Sequence, residues 1–330
     1  MDTITRERYN GLVKGLAAHY GVTSATEAFA VTEPKALELI NAVQQSVEFL
    51  NRVSVIPVTD TTGAIVMLNI PNPLAGRTDT TGSGERKPQS VTDMTERTYL
   101  VAQIDYDYNL TYNQLDIWAR FPDFATRVAN MVNRRKALDM LLIGFNGTSR
   151  AATTDRVANP LLQDVSQGWI FDLKTNNPAN YLSPGTISFG ASGDYKNLDQ
   201  AANDLLSAIP REHRTGNERV IIGEELLAWE VDILFEITGH KPTEKQALQV
   251  LKKGAAGMPM EVVPGFPTKG MMVTDPANLQ IYLQTKSVRK QYADNPKKNC
   301  VEHYHSENSD WKIGDIKAIA ALDADQVTLD

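Results

Sequence analysis

Between Trp118 and Thr148 apolar residues return at helical multiples. Phe124, Val128, Met131, Leu138, Leu142 and Phe145 form the stripe, and Arg135 interrupts it midway. Pro122 and Asp123 suit a first turn, where a missing amide hydrogen costs little and a carboxylate meets the positive end of the helix dipole. Asn146-Gly147 suits the stop. The spacing predicts a helix of about 23 residues, roughly 35 Å long at ~1.5 Å per residue, on which the rest of the chain is arranged as on a spine.

Upstream, Tyr9, Leu12, Val13 and Leu16 share one side of a short helix over Thr5 to His19, which ends at Gly21. The small, polar run Thr23 to Val31 reads as a tether, so the first 30 residues form a separable leader. A second helix follows, with Thr32 as cap, Pro34 in its first turn and a stripe of Leu37, Ile40, Val43, Val47 and Leu50. From Val53 the period changes to two. Val53 to Val58 and Ala64 to Ile70 read as strands, and from Tyr99 to Leu110 apolar and polar residues alternate without a break. The outgoing and returning runs are expected to pair as a long hairpin. The intervening Pro71 to Thr95, rich in Thr, Gly, Ser, Pro and charge, is too long for a tight turn and too polar for a core, which makes it an exposed arm.

Downstream, the Asn176 to Gly193 stretch, loop-like and punctuated by Pro and Gly, marks a boundary. Beyond it helices at Leu198 to Ile209, Glu224 to Phe235 and Glu244 to Lys253 alternate with strands at Arg219 to Ile222, Met260 to Val263 and Met271 to Thr274, a compact α/β lobe. The chain closes in strands at Leu279 to Gln284, Cys300 to His305 and Ile316 to Leu322. At 330 residues with 42% hydrophobic content, two ordinary domains with real cores are expected.

Charge and chemistry narrow the function. A net charge of -7 argues against a domain devoted to gripping nucleic acid or an anionic membrane. One cysteine, Cys300, precludes an internal disulfide and fits a reducing compartment, and no apolar run is long enough to serve as a signal or membrane segment. Asp-Thr-Thr-Gly occurs at Asp60 to Gly63 and Asp79 to Gly82, but an extra Thr separates each Asp from the Gly that an aspartic-protease turn would place two residues on. Turn composition accounts for both. In Cys300-Val301-Glu302-His303-Tyr304-His305 the two histidines would share one strand face and Cys300, Glu302 and Tyr304 the other, so the ligands do not converge and no metal is predicted. Gly190 to Gly193 lacks the spacing of a nucleophile elbow, and Gly82 to Lys87 is not a phosphate loop. Arg134-Arg135-Lys136, with Arg127 nearby, spread around the spine rather than lining a groove, which favours solvation or ion pairs over DNA contact.

A further set of residues carries a family resemblance. Leu115-Asp116-Ile117-Trp118-Ala119-Arg120, Gly144-Phe145-Asn146-Gly147, Asn159-Pro160, Leu162-Gln163-Asp164-Val165 with Gly168-Trp169, Asn278-Leu279 with Ile281-Tyr282, and Glu302, Tyr304 and Asn308 after Asn295-Pro296-Lys297 are, in order and spacing, similar to the P2-type major capsid proteins of tailed bacteriophages. The resemblance implies an α+β, HK97-like capsid fold. In it residues 1–30 are a leader, 31–57 an N-terminal arm, 58–112 an extended hairpin loop, 113–193 a peripheral domain with the spine, 194–275 an axial domain, and 276–330 return strands of the peripheral domain. It further implies a non-enzymatic shell subunit without cofactor, assembled in the host cytoplasm as hexamers and pentamers into an icosahedral virion around double-stranded DNA read without sequence specificity. The implied partners are other copies of itself, a scaffolding or maturation protease, the portal and a decoration protein, with no membrane. Maturation trimming is expected near Phe29-Ala30, and the loop residues Arg77, Glu85, Arg86 and Lys87 are expected to contact neighbouring subunits. A nucleic-acid-binding module, which would need a continuous basic groove, and a hydrolase, which would need converging polar groups in a pocket, are the alternatives.

Overall fold

The computed structural model describes residues 1–65, 75, 77–81, 85, 86, 88, 97–118, 121, 123–237 and 254–329. In chain order the elements are α1 (Thr3–Tyr20), β1 (Phe29–Ala30), α2 (Glu33–Gln45), α3 (Glu48–Arg52), β2 (Ser54–Val58), β3 (Thr62–Ile65), β4 (Arg97–Leu100), β5 (Ala102–Asp105), β6 (Tyr108–Thr111), α4 (Tyr112–Trp118), α5 (Phe124–Asn146) and α6 (Trp169–Asn176). There follow β7 (Tyr181–Leu182), β8 (Ile187–Phe189), α7 (Leu198–Ala208), β9 (Arg219–Ile222), α8 (Glu224–Ile237), β10 (Met260–Val262), β11 (Met271–Thr274), β12 (Leu279–Gln284), β13 (Arg289–Asn295), β14 (Cys300–Ile313), β15 (Ile319–Leu322) and β16 (Val327–Leu329). The predicted helix at Glu244 to Lys253 lies outside the described residues.

Strand β14 is the axis of the larger sheet. Its first half is flanked by β13 and β6, its second by β12 and β5, and β12 pairs in parallel with β2. This corrects the expected long hairpin. The Tyr99 to Leu110 alternation is real, but only β4 pairs with the outgoing β3, whereas β5 and β6 run along β14. The chain breaks twice to do so. Val101 N–H donates to Thr61 O (2.9 Å), closing the hairpin, and the Asp107 carboxylate accepts His305 N–H (2.9 Å) where the ladder is interrupted. A 14-residue strand offers more ladder than the hairpin partner does, so the returning residues take it.

The spine helix α5 has the predicted bounds but a different buried face. Val128, Lys136, Ala137, Met140, Leu141, Ile143, Gly144 and Phe145 are buried, while Met131 is 49% exposed and Leu138 and Leu142 are half-buried. The face that counts is the i, i+4 row through Val128, Val132, Lys136, Met140 and Gly144, and it is embedded mainly at its C-terminal end. There Trp311 Nε1–H donates to Met140 O (3.1 Å), and Trp169 presses so close that a Cβ on Gly144 would stand 2.3 Å from its ring. Asp123 at the start makes no capping bond; its carboxylate accepts from Arg127 Nε instead, at 2.7 Å.

Two large hydrophobic cores stand out among the described residues. One packs α2, α3, α5 and α6 against the β14 sheet through Leu50, Met140, Leu141, Trp169, Leu173 and Trp311. The other gathers Phe189, Leu205, Ile209, Val220, Ile222 and Met271 around a five-stranded sheet of order β10-β9-β11-β15-β7. Strands β15 and β7 belong to this second sheet, and β16 pairs with β8 beside it. Residues 181–189 and 319–329 therefore sit with the α/β lobe, not with the peripheral elements to which the sequence assigned them. Ile319–Leu322 is an unbroken apolar run buried at every position, and its pairing with β11, like that of β16 with β8, decides the lobe.

Candidate assembly surfaces

The N-terminal 30 residues dock along one strand. Tyr20 OH accepts from Lys290 Nζ (3.0 Å), Ala25 O from Tyr292 N–H (3.0 Å) and Thr26 O from Gln291 Nε2 (3.1 Å), and Arg6 pairs with Asp294. Phe29 and Ala30 form β1, antiparallel to Lys290 and Arg289 of β13. Tyr9, Ala17 and Ala25 are buried. The expected free tether over Thr23 to Ala28 is thus corrected. Ala25, small enough to lie flush in a cluster with Tyr292, is fully buried, and β13 offers an otherwise unpaired edge that the segment caps.

The loop is bolted at its root. Arg97, 8% exposed, pairs with the buried Asp172 of α6 and donates to Ile313 O (2.7 Å). Asp172 also accepts Ile313 N–H (2.9 Å), and Asp310 accepts Leu100 N–H (2.8 Å) while holding Arg150 at 2.7 Å. Tyr99 stacks on Tyr282 with ring centroids 4.6 Å apart. Of the residues assigned to neighbour contacts, Arg77, Glu85 and Arg86 are exposed, and Lys87 lies outside the described residues.

A third feature was not foreseen. Lys136 on the spine row is 4% exposed and donates to Glu307 Oε2 (2.5 Å), a partner 171 residues away, while His305 Nε2 lies 3.2 Å from the same oxygen. Burial disfavours the Glu307 carboxylate, but Lys136 and His305 beside it together outweigh burial and hold its pKa down to about 2. Burial, reinforced by Lys290, pushes His303 down to about 4; burial and Lys136 do the same to His305 against the pull of Glu307. His303 lies between Tyr108, stacked at 4.5 Å, and Tyr292, edge-on at 4.7 Å. Both histidines share the buried face, with Tyr304 exposed opposite, and Cys300 is buried at the strand's start. Among the described residues no three His, Cys, Asp or Glu side chains gather to hold a metal. The basic run on the spine divides likewise: Lys136 is internal, Arg135 pairs with Asp139 and Arg127 with Asp123. Asp79 accepts from Thr81 N–H (2.9 Å) as a turn residue does, whereas Thr62 and Gly63 of the first Asp-Thr-Thr-Gly lie in β3.

This architecture has relatives. The family model described as phage major capsid protein, P2 family, matches residues 8–324. The chain belongs to that family. The capsid protein of Escherichia phage P2 is 33% identical over 95% of this chain and 92% of its own, and the major capsid protein of Serratia phage KSP20 is 31% identical over 98% and 97%. The chain also superposes on a subunit from the satellite phage P4 procapsid that includes the size-determination protein, with a TM-score of 0.74, 32% identity, and coverage of 88% of this chain and 99% of that one. The fold is accordingly the HK97-like capsid fold, and the capsid protein is a virion component. The groove of about 1080 Å3 where the spine ends against the second lobe is lined by Phe145, Phe266, Tyr181 and Lys174 among others. Two of its polar residues are tied within the subunit: Lys174 Nζ lies 5.4 Å above the Tyr181 ring, and Asp323 accepts from Ser183 Oγ (2.8 Å). Among the described residues no helix is long and apolar enough to cross a membrane.

Proposed function

We propose that this major capsid protein assembles as hexamers and pentamers into an icosahedral shell around double-stranded DNA in the host cytoplasm, and that it works by assembly without catalysing a reaction. The carrying observation is the superposition, at 32% identity, over 99% of a procapsid subunit. The root geometry supports a role for the loop between subunits, because Arg97, Asp172 and Asp310 fix its base to the subunit that sends it out, leaving Arg77, Glu85, Arg86 and Lys87 for a neighbour. The reading includes the portal, a scaffolding or maturation protease and a decoration protein as partners, with residues 31–57 as an arm. Electron microscopy of the purified chain tests it: closed shells or capsomer rings are expected, and a preparation that stays monomeric at every concentration overturns it.

The proposed maturation cut falls near Phe29-Ala30. Because those two residues pair with β13, a protease must first open β1, so cleavage is expected to be slow on the isolated subunit. Intact mass of subunits from mature heads reads the outcome; a full-length mass refutes the cut.

A further inference from the structure

A cavity of about 40 Å3 lies between the spine, β13 and β14, close to where Tyr20 of the N-terminal helix reaches Lys290. Its charges do not balance. Lys136 and Lys290 bring two ammonium groups to its wall, and Glu307, bonded to Lys136, is the carboxylate that faces them. Lys290 hydrogen-bonds the neutral phenol of Tyr20 (3.0 Å to its oxygen, with the ring centroid 5.2 Å away) and has no ion pair among the described residues. Two further polar atoms of wall residues, His303 Nδ1 and Tyr106 OH, are buried with no partner among the described residues; His303 is 5% exposed. Among the described residues these cations and unmatched donors outnumber the acceptors about the space, of which Glu307 Oε1 is the one left unpaired beside them.

We infer that this cavity binds one small monatomic anion of chloride's class, held by the Lys290 ammonium and hydrogen-bonded by His303 Nδ1–H and Tyr106 O–H. Size selects the class. The volume has room for a few water molecules, and chloride, only slightly larger than one, fits it with its three donors in reach. Charge selects it too, since an anion restores neutrality to a buried Lys-Lys-Glu set that otherwise carries an unmatched cation. Burial draws the Lys290 pKa down to about 8, and a bound anion opposes that pull and keeps the group protonated.

The test is thermal unfolding of the purified full-length chain at pH 7 in sodium chloride against sodium gluconate at equal ionic strength, gluconate being too large to enter. Chloride is expected to raise the midpoint saturably, by about 2 °C at tenfold excess over its dissociation constant, for a chain of this length. Lys290→Met, which keeps the apolar stem, is expected to abolish the difference. Tyr20→Phe, which removes the competing neutral acceptor, is expected to enlarge it. Equal midpoints in the two salts, or an undiminished difference in Lys290→Met, overturn the site. If Lys290→Met does not fold, bromide exchanged into crystals of the unaltered chain decides: an anomalous peak within hydrogen-bond distance of Lys290 Nζ supports the proposal, and a map without one refutes it.

Discussion

His303 should make this subunit sensitive to acid, in a window and by an amount that the structure fixes. Its ring is held between Tyr108 and Tyr292, with Lys290 the cation that most disfavours its charging, and Lys136, Glu307, His305 and Tyr20 are the other ionisable groups packed about the same cluster. Folding lowers its pKa from 6.5 to about 4. Between those values the unfolded chain holds a proton on this residue and the folded chain does not, so stability rises with pH there and falls as pH drops from 6.5 to 4. At about 1.4 kcal/mol per pH unit the full span is worth about 3 kcal/mol. His305, lowered to about 4 as well, adds a similar amount. Below pH 4 both are charged in either state and the slope from them ends. His303→Phe keeps a ring between the two tyrosines and removes the titration. Urea unfolding at pH 7, 6, 5 and 4, in one buffer series, should show the parent losing stability relative to His303→Phe as pH falls, with the difference between them changing by about 3 kcal/mol. Parallel curves would mean that His303 is as easily protonated in the fold as in water, and the account of its burial would be wrong.

Arg97→Met leaves the Asp172 carboxylate buried with its strongest partner gone; a loss of about 3 kcal/mol is expected, or about 4 °C in melting temperature for this chain length, and adding Asp172→Asn should recover part of it. Gly144→Ala should cost about 2 kcal/mol by denaturant unfolding, because Trp169 is tethered through Nε1–H to Gln280 O (3.0 Å) and cannot withdraw from the new methyl group. Arg135→Ala, which removes the exposed guanidinium paired with the half-buried Asp139 on the same helix, should stay within about 1 kcal/mol of the parent. Replacing residues 76–87 with a short Gly-Ser turn should leave subunit melting nearly unchanged while weakening or abolishing shell formation; unfolding of the shortened chain, or normal assembly, refutes the proposed role of the loop.

What the sequence disclosed was whatever repeats locally. The 3.6-residue period marked α5 to within a turn at its start, and β9, β11 and β12 were placed with their bounds. What escaped depends on partners far along the chain. Lys136 reads as one of three consecutive surface cations, and the only local hint of its burial is its place in the Val128-Val132-Lys136-Met140-Gly144 row; the carboxylate that permits it lies on β14. The returning strand showed flawless alternation, yet alternation says which face is buried and nothing about which edge is paired. For the same reason β15 could not be assigned to its lobe. The histidine pair was placed correctly on one face, but the burial of His303 between Tyr108 and Tyr292 required the three-strand register of β6, β14 and β13.

The seating of the N-terminal segment on β13 gives a cut near residue 30 a consequence that no list of broken contacts would reveal. The hydrogen bonds that Tyr20, Ala25 and Thr26 make with β13 could survive the cut, because none of them involves the residues flanking the severed bond. What changes is concentration. Before cleavage the segment competes for β13 at the high local concentration set by its own short connection; afterwards it is a free peptide, present at whatever concentration the surroundings supply. Its retention then depends on dilution, and a closed particle and an open one would empty at different rates. The protease would supply no pulling force. It would convert a permanent occupant into one that can leave, and the volume into which it leaves would set the timing.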